Sequence, residues 1–188
     1  SADTSAGRAG MAAVIGMAPD AVVDVVAQVG EGLYAANFSS PKQVVVAGTA
    51  DALDRAEPAF QEAGARRYIR LKVSGPFHSP LIEAARHKFA DVVAQFDFSD
   101  PQVPVYANVT GARVESGAQA KKLCVEQIVS SVRWVDEIEA LRAAGYETFY
   151  ETGPGTVLGG LMRGFDGDIS CVAAGNIEAM DAIGAADG

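Results

Sequence analysis

This chain has little with which to carry positive charge, thiol chemistry or a membrane span. Its 188 residues hold 15 Lys and Arg against 24 Asp and Glu, a formal net charge of −9. That deficit argues against nucleic-acid binding, which needs Lys and Arg in number against the phosphates. Only two cysteines occur, Cys124 and Cys171, far apart and each in an apolar stretch. Buried free thiols in a reduced cytoplasm are expected from them, not a disulfide or a metal site. No apolar run approaches the roughly 20 residues that cross a bilayer. Ser1 to Gly10 is small and polar, without the hydrophobic core of a signal peptide. Histidine is equally scarce, with His78 and His87 alone, and no serine lies in a Gly-x-Ser-x-Gly elbow.

What is present is enough for a buried core: 49% of residues are apolar, far from the composition of a disordered chain. The first third has a clear rhythm. Met11–Ile15 reads as a buried strand. Pro19 suits the first turn of a helix, where its missing N–H has no partner to lose. Val22, Val25, Val26 and Val29 recur at helical spacing, and Gly30 is placed to end that helix. Strands are expected over 33–39 and 43–48, joined by Ser40-Pro41-Lys42. Thr49 can cap a second helix, whose apolar face is Leu53, Ala56, Phe60 and Ala63 and whose stop is Gly64. Tyr68–Leu71 completes a β-α-β-β-α-β order over residues 11–72, the pattern of a ferredoxin-like unit.

Beyond it, Ser74-Gly-Pro-Phe-His-Ser-Pro80 reads as a loop. A helix should follow with Leu81, Ala85, Phe89, Val92 and Phe96 on its buried side. The remainder reads as a strand near 103–108, helices near 119–129 and 135–144, a strand over 148–151, a helix over 157–162, a strand over 169–173 and a last short helix. Such alternation implies an α/β layer structure with a mostly parallel sheet.

Few residues suggest chemistry. His87 stands between Glu83 and Asp91 at helical spacing, which predicts a solvated, charged face. His78 lies in a Gly/Pro-bounded loop, where a scaffold commonly presents a reactive side chain. The residues alone leave both a structural and a catalytic role open for it. Arg66, Arg67, Arg70 and Lys72 form a basic patch on an acidic chain. They read either as a solvated strand end or as a docking point for an anionic partner.

Met11-Ala-Ala-Val-Ile15, Ala36-Asn-Phe-Ser-Ser-Pro-Lys-Gln-Val-Val-Val46, Val73-Ser-Gly-Pro-Phe-His-Ser-Pro-Leu81, Ala107-Asn-Val-Thr110, Val132-Arg-Trp134 and Glu151-Thr-Gly-Pro-Gly-Thr-Val-Leu158 together extend the case. In that order and spacing they resemble the malonyl-CoA:acyl carrier protein transacylases from about Gly10 to Gly164. The resemblance implies an α/β fold: a ferredoxin-like βαββαβ small subdomain at 10–72, with 1–9 and 73–188 forming the C-terminal part of an α/β-hydrolase-like acyltransferase domain. It implies malonyl transfer, in fatty acid biosynthesis, from coenzyme A to the phosphopantetheine thiol of acyl carrier protein through a serine acyl-enzyme. His78 would be the general base and acid, with its second ring nitrogen held by the main-chain carbonyl at Gln127. Asn37 would face the cleft near the pantetheine arm, although an asparagine beside a turn can equally bond local backbone. Phe77 would wall the acyl pocket against branched substrates, and Arg66 and Arg67 would lie near coenzyme A phosphates or the acidic carrier protein. Ser39 departs from the family's frequent asparagine.

No metal or resident cofactor is implied, coenzyme A being part of the substrate. The partners implied are malonyl-CoA, acyl carrier protein and a missing N-terminal half bearing the serine, in the cytoplasm and without nucleic acid or membrane. The nucleophile elbow, the arginine for the malonyl carboxylate and the oxyanion-hole loop would all belong to that half. This chain alone is therefore expected to be inactive, and to expose apolar surface where the other half packs. Two alternatives stand beside this reading: a polyketide-pathway acyltransferase or acyl hydrolase, and a non-catalytic carrier-protein-binding module.

Overall fold

The computed structural model describes residues 9–167 and 169–186. They form β1 (Ala9–Ile15), α1 (Pro19–Val29), β2 (Leu33–Ser40), β3 (Gln43–Thr49), α2 (Ala50–Glu62) and β4 (Arg67–Arg70). A 3-10 turn (Pro80–Ile82), α3 (Glu83–Val93), β5 (Tyr106–Ala107), β6 (Ala112–Arg113), α4 (Gly117–Glu126) and α5 (Trp134–Ala143) follow. The chain continues through β7 (Thr148–Thr152), α6 (Val157–Met162), β8 (Ser170–Ala174) and α7 (Ile177–Ala186). It divides into two compact units at Ala140–Leu141, so the first strands share a unit with residues 73–140.

In the first unit β2-β3-β1-β4 make a four-stranded sheet. Every neighbouring pair is antiparallel. Inserting β3 between β1 and β2 is the split β-α-β arrangement that the element order anticipates. The local reasons are those of the sequence. Pro19 opens α1, and Gly30, at φ 82°, ends it with its N–H on the Val26 carbonyl. Thr49 caps α2, its hydroxyl oxygen accepting from Ala52 N at 3.2 Å. One face of the sheet packs Ala12, Val14, Val44 and Val46 against Val22, Val25, Leu53 and Phe60 of the two helices. The opposite face is thinner, with Met11, Ala13, Ala36, Val45 and Ala47 backed by Ile69 and Leu71. Phe60 is fully buried and stacks on Tyr68 at a ring-centroid distance of 5.8 Å. The Tyr68 hydroxyl donates to the Leu53 carbonyl at 2.9 Å, and burial pushes its pKa up to about 12.

The later elements depart from expectation in several ways. A mostly parallel sheet is not found among the described residues: β5 and β6 are an antiparallel pair, and only β7 and β8 pair parallel. The strand expected over 103–108 shrinks to two residues, because only Tyr106 and Ala107 find a partner strand. The expected buried side of α3 is largely open, with Leu81 at 38%, Val92 at 51% and Phe96 at 58% exposure, and only Val93 buried. Apolar periodicity marks a face that wants covering, and nothing among the described residues covers this one. Cys124 and Cys171 are free but half-buried, less enclosed than their apolar neighbours imply. His87 does sit on a charged face, 2.9 Å from Glu83. No helix among the described residues is long and apolar enough to cross a membrane.

In the second unit the Glu151 carboxylate accepts from the backbone N–H groups of Leu158 (2.9 Å) and Gly159 (2.8 Å) at the start of α6. These donors hold its pKa below the usual carboxylate range. Such a group stabilises the fold above its ordinary titration range, and that contribution is lost as pH falls through its lowered folded value. Stability should accordingly fall more steeply on acidification for the wild type than for Glu151→Gln, measured by denaturation midpoints. Parallel pH profiles would contradict this. In the first unit, Phe60→Ala should cost about 3–5 kcal/mol in urea titration, since it removes the largest fully buried side chain. A cost below about 1 kcal/mol would show that the sheet–helix layer is not the stabilising core.

Candidate active site

His78 stands in the connection between β4 and α3, at φ 56°. It is the one non-glycine residue with positive φ among the described residues. An L side chain in this region is crowded against its own backbone, at a cost of about 1–2 kcal/mol. Such strain persists only where the surroundings impose it. Gly75, Pro76 and Ser79 around it are buried, whereas the ring itself is half-exposed and Phe77 is 42% exposed.

The ring is held from a distant part of the chain. His78 Nδ1 lies 3.0 Å from the main-chain carbonyl oxygen of Gln127. Gln127 is the C-cap of α4, and its carbonyl is one of those a helix end leaves without an internal partner. The Gln127 side chain approaches the same ring atom, with Nε2 at 3.5 Å. The two contacts demand opposite tautomers, since a carbonyl can only accept and an amide nitrogen can only donate. Distance decides for the carbonyl, because 3.5 Å is beyond a normal N–H bond. The amide nitrogen is also engaged with the Ser130 carbonyl at 3.1 Å. The neutral ring therefore carries its proton on Nδ1, leaving Nε2 with a free lone pair.

Residues 130–132 fasten this carbonyl in place. Phe38 N donates to Val132 O at 2.9 Å, Val132 N donates to Ala36 O at 2.8 Å, and Ser131 Oγ donates to Ala35 O at 2.7 Å. Asn37 sits within that join, at a bulge of β2 and bridged in parallel to Val132. The fold thus brings Gln127 onto His78 and joins Asn37 to Val132, five residues further along the same stretch, while Phe77 enters as the exposed chain neighbour of His78. It links neither Arg66 nor Arg67 to His78 or Gln127 by a hydrogen bond or ion pair. Both arginines are exposed at the start of β4, and the neighbouring Arg70 is paired with Asp54 at 2.9 Å. Sequence reasoning did not anticipate Ser131 and Val132 as the fastening of Gln127. The only signal was the Val132-Arg-Trp134 block itself, because backbone pairing leaves no side-chain signature. Among the described residues no cluster of His, Cys, Asp and Glu could hold a metal ion.

Residues 3–181 match the acyl transferase domain. The chain belongs to that family. Among its relatives, the malonyl CoA-acyl carrier protein transacylase of Bacillus subtilis is 38% identical over 179 residues, 94% of this chain and 56% of that protein. The polyketide biosynthesis protein ThaF of Burkholderia thailandensis is 44% identical over 155 residues, 82% of this chain and 13% of that protein. The crystal structure of an acyl carrier protein S-malonyltransferase from Vibrio cholerae superposes with a TM-score of 0.90 at 37% identity, covering 95% of this chain and 59% of the other. This acyl transferase chain thus spans little more than half the length of the transacylases it matches.

The backbone at His78 gives a direct test of the local geometry. Replacing His78 by Val puts a β-branched residue at positive φ, whereas Gly is at ease there. His78→Val should be less stable than His78→Gly by about 1–2 kcal/mol in chemical denaturation. Equal stabilities would mean that residue 78 does not hold the left-handed conformation in solution.

Proposed function

We propose that this chain supplies the acid–base half of a malonyl transferase that moves a malonyl group from coenzyme A to acyl carrier protein through a serine ester. The single observation that carries the reading is the 3.0 Å contact of His78 Nδ1 with the Gln127 carbonyl. It orients the ring and, in the neutral tautomer it favours, leaves the Nε2 lone pair free to accept a proton. A serine hydroxyl is a poor nucleophile near neutrality and needs such a base within reach.

In the first step His78 Nε2 takes the serine proton as the serine oxygen adds to the thioester carbonyl. The tetrahedral intermediate collapses, the carbon–sulfur bond breaks, and the departing coenzyme A thiolate receives the proton from the imidazolium. In the second step the phosphopantetheine thiol gives its proton to Nε2 and attacks the serine ester. The ester bond breaks, and the serine oxygen recovers its proton from His78. Gln127 acts through its carbonyl, which stabilises the charged ring at Nδ1 as a carboxylate does in a serine–histidine–aspartate site. The scheme draws on no resident cofactor, coenzyme A entering as part of the substrate.

The remaining roles follow the same reading. Phe77, exposed beside His78, would limit the acyl pocket, a discrimination worth about 1–3 kcal/mol for one added methyl group. Asn37 would contact the pantetheine arm, and the exposed Arg66 and Arg67 would meet phosphates or an acidic carrier protein. The serine would come from a further segment of acyl transferase fold that covers the open apolar side chains Leu81, Val92, Phe96 and Phe98. We place the reaction in fatty acid biosynthesis and in the cytoplasm. The match to ThaF favours a second setting, polyketide assembly, with the same chemistry at His78.

The isolated chain should transfer no malonyl group to holo acyl carrier protein. Joined to a serine-bearing segment from a relative it should do so, and His78→Ala should slow that transfer by roughly 10²–10⁴-fold. Turnover by the isolated chain, or full activity of His78→Ala, would overturn the reading.

A further inference from the structure

Ser79 follows directly after His78 and is completely buried, whereas the other buried polar side chains among the described residues, Ser39, Ser40 and Glu137, each keep some exposure. It occupies the N-cap of the 3-10 turn Pro80–Ile82, where a serine hydroxyl would normally accept from the backbone ahead. It makes no such bond. Its hydroxyl turns back and donates to the Pro76 carbonyl at 2.6 Å. No backbone N–H of residue 79 reaches that carbonyl, so the side chain alone closes the turn Pro76-Phe77-His78-Ser79. His78 is the third residue of this turn, the position at which a type II turn requires positive φ. Pro76, the first residue of the turn, is itself buried and has its φ fixed by its ring.

We propose that Ser79 is the positioning residue of the site. Its hydroxyl, by closing the turn on Pro76, holds His78 in the left-handed conformation and so keeps Nδ1 on the Gln127 carbonyl. The chemistry of the side chain fits the task. A hydroxyl is short enough to bond three residues back, and its burial removes water as a competing partner. Without it the Pro76 carbonyl loses its donor, and the strained backbone at His78 can relax toward negative φ. The ring would then swing from the Gln127 carbonyl, and its proton would no longer be confined to Nδ1.

This proposal rests on the reading of His78 as the base, and its test separates the two. Long-range ¹H–¹⁵N imidazole spectra of the labelled chain report the tautomer of His78, with His87 as an internal control. In the wild type His78 should show one tautomer, protonated at Nδ1. In Ser79→Ala that single tautomer should be lost to a mixture while the His87 signals stay unchanged. Ser79→Cys, which nearly keeps the volume but donates weakly, should show the same loss and serves if the alanine variant does not fold. A folded variant that keeps the wild-type His78 tautomer would overturn the role of Ser79 alone. Unfolding of both variants would also overturn it, since a general structural role would then outweigh positioning. A wild-type proton on Nε2 would instead sink the reading of His78 as the base.

Discussion

Val132 bonds the main chain on either side of Asn37 at the edge of the four-stranded sheet, accepting from Phe38 N at 2.9 Å and donating to Ala36 O at 2.8 Å. An edge strand presents unpaired N–H and C=O groups that seek a partner. Here β2 finds one in a segment 96 residues further along the chain, where Ser131 adds a side-chain bond to Ala35. The join spans loop closure over most of the first unit, a long-range contact whose entropic cost grows only slowly with length. Everything proposed for the site depends on it. It sets down the end of α4, and with it the Gln127 carbonyl, over the loop that carries His78. A bulge in β2 at this point adapts the strand to its irregular neighbour and places Asn37 in the same join.

The chemistry proposed for His78 follows from an unmet need at a helix end. Gln127 offers a carbonyl that α4 cannot use, and His78 offers a ring N–H that must be satisfied for the other nitrogen to remain a base. Each supplies what the other lacks. A neutral acceptor in place of a carboxylate still fixes the tautomer and the ring plane. What it does not bring is a second buried charge with its desolvation cost. The left-handed backbone at His78 is the strained part of this arrangement, and the buried turn around it is what imposes the conformation.

How much of this was legible in the sequence depends on the kind of interaction involved. The first sheet and its helices were readable because Pro19, Gly30, Thr49 and the valine spacings each act locally, and all point to the same element order. The pairing of His78 with Gln127 came from a family resemblance, since nothing in the spacing of residues 78 and 127 predicts that they meet. The bonding of Ser131 and Val132 to β2 is main-chain pairing and leaves no mark in composition. The misreading of α3 has a different origin. Leu81, Val92 and Phe96 do form an apolar face at helical spacing, but periodicity reports only that a face is apolar, not that this chain covers it. The small two-stranded pairs after residue 100 likewise fall short of the parallel sheet that alternating elements suggest, because each has a single partner strand.

The central claim is that this chain brings the base and not the nucleophile. Intact mass spectrometry, after brief exposure of the chain and a separate serine-bearing segment to malonyl-CoA, tests it most directly. The account predicts one malonyl group on the serine-bearing polypeptide and none on this chain. A malonyl group carried covalently by this chain would contradict it.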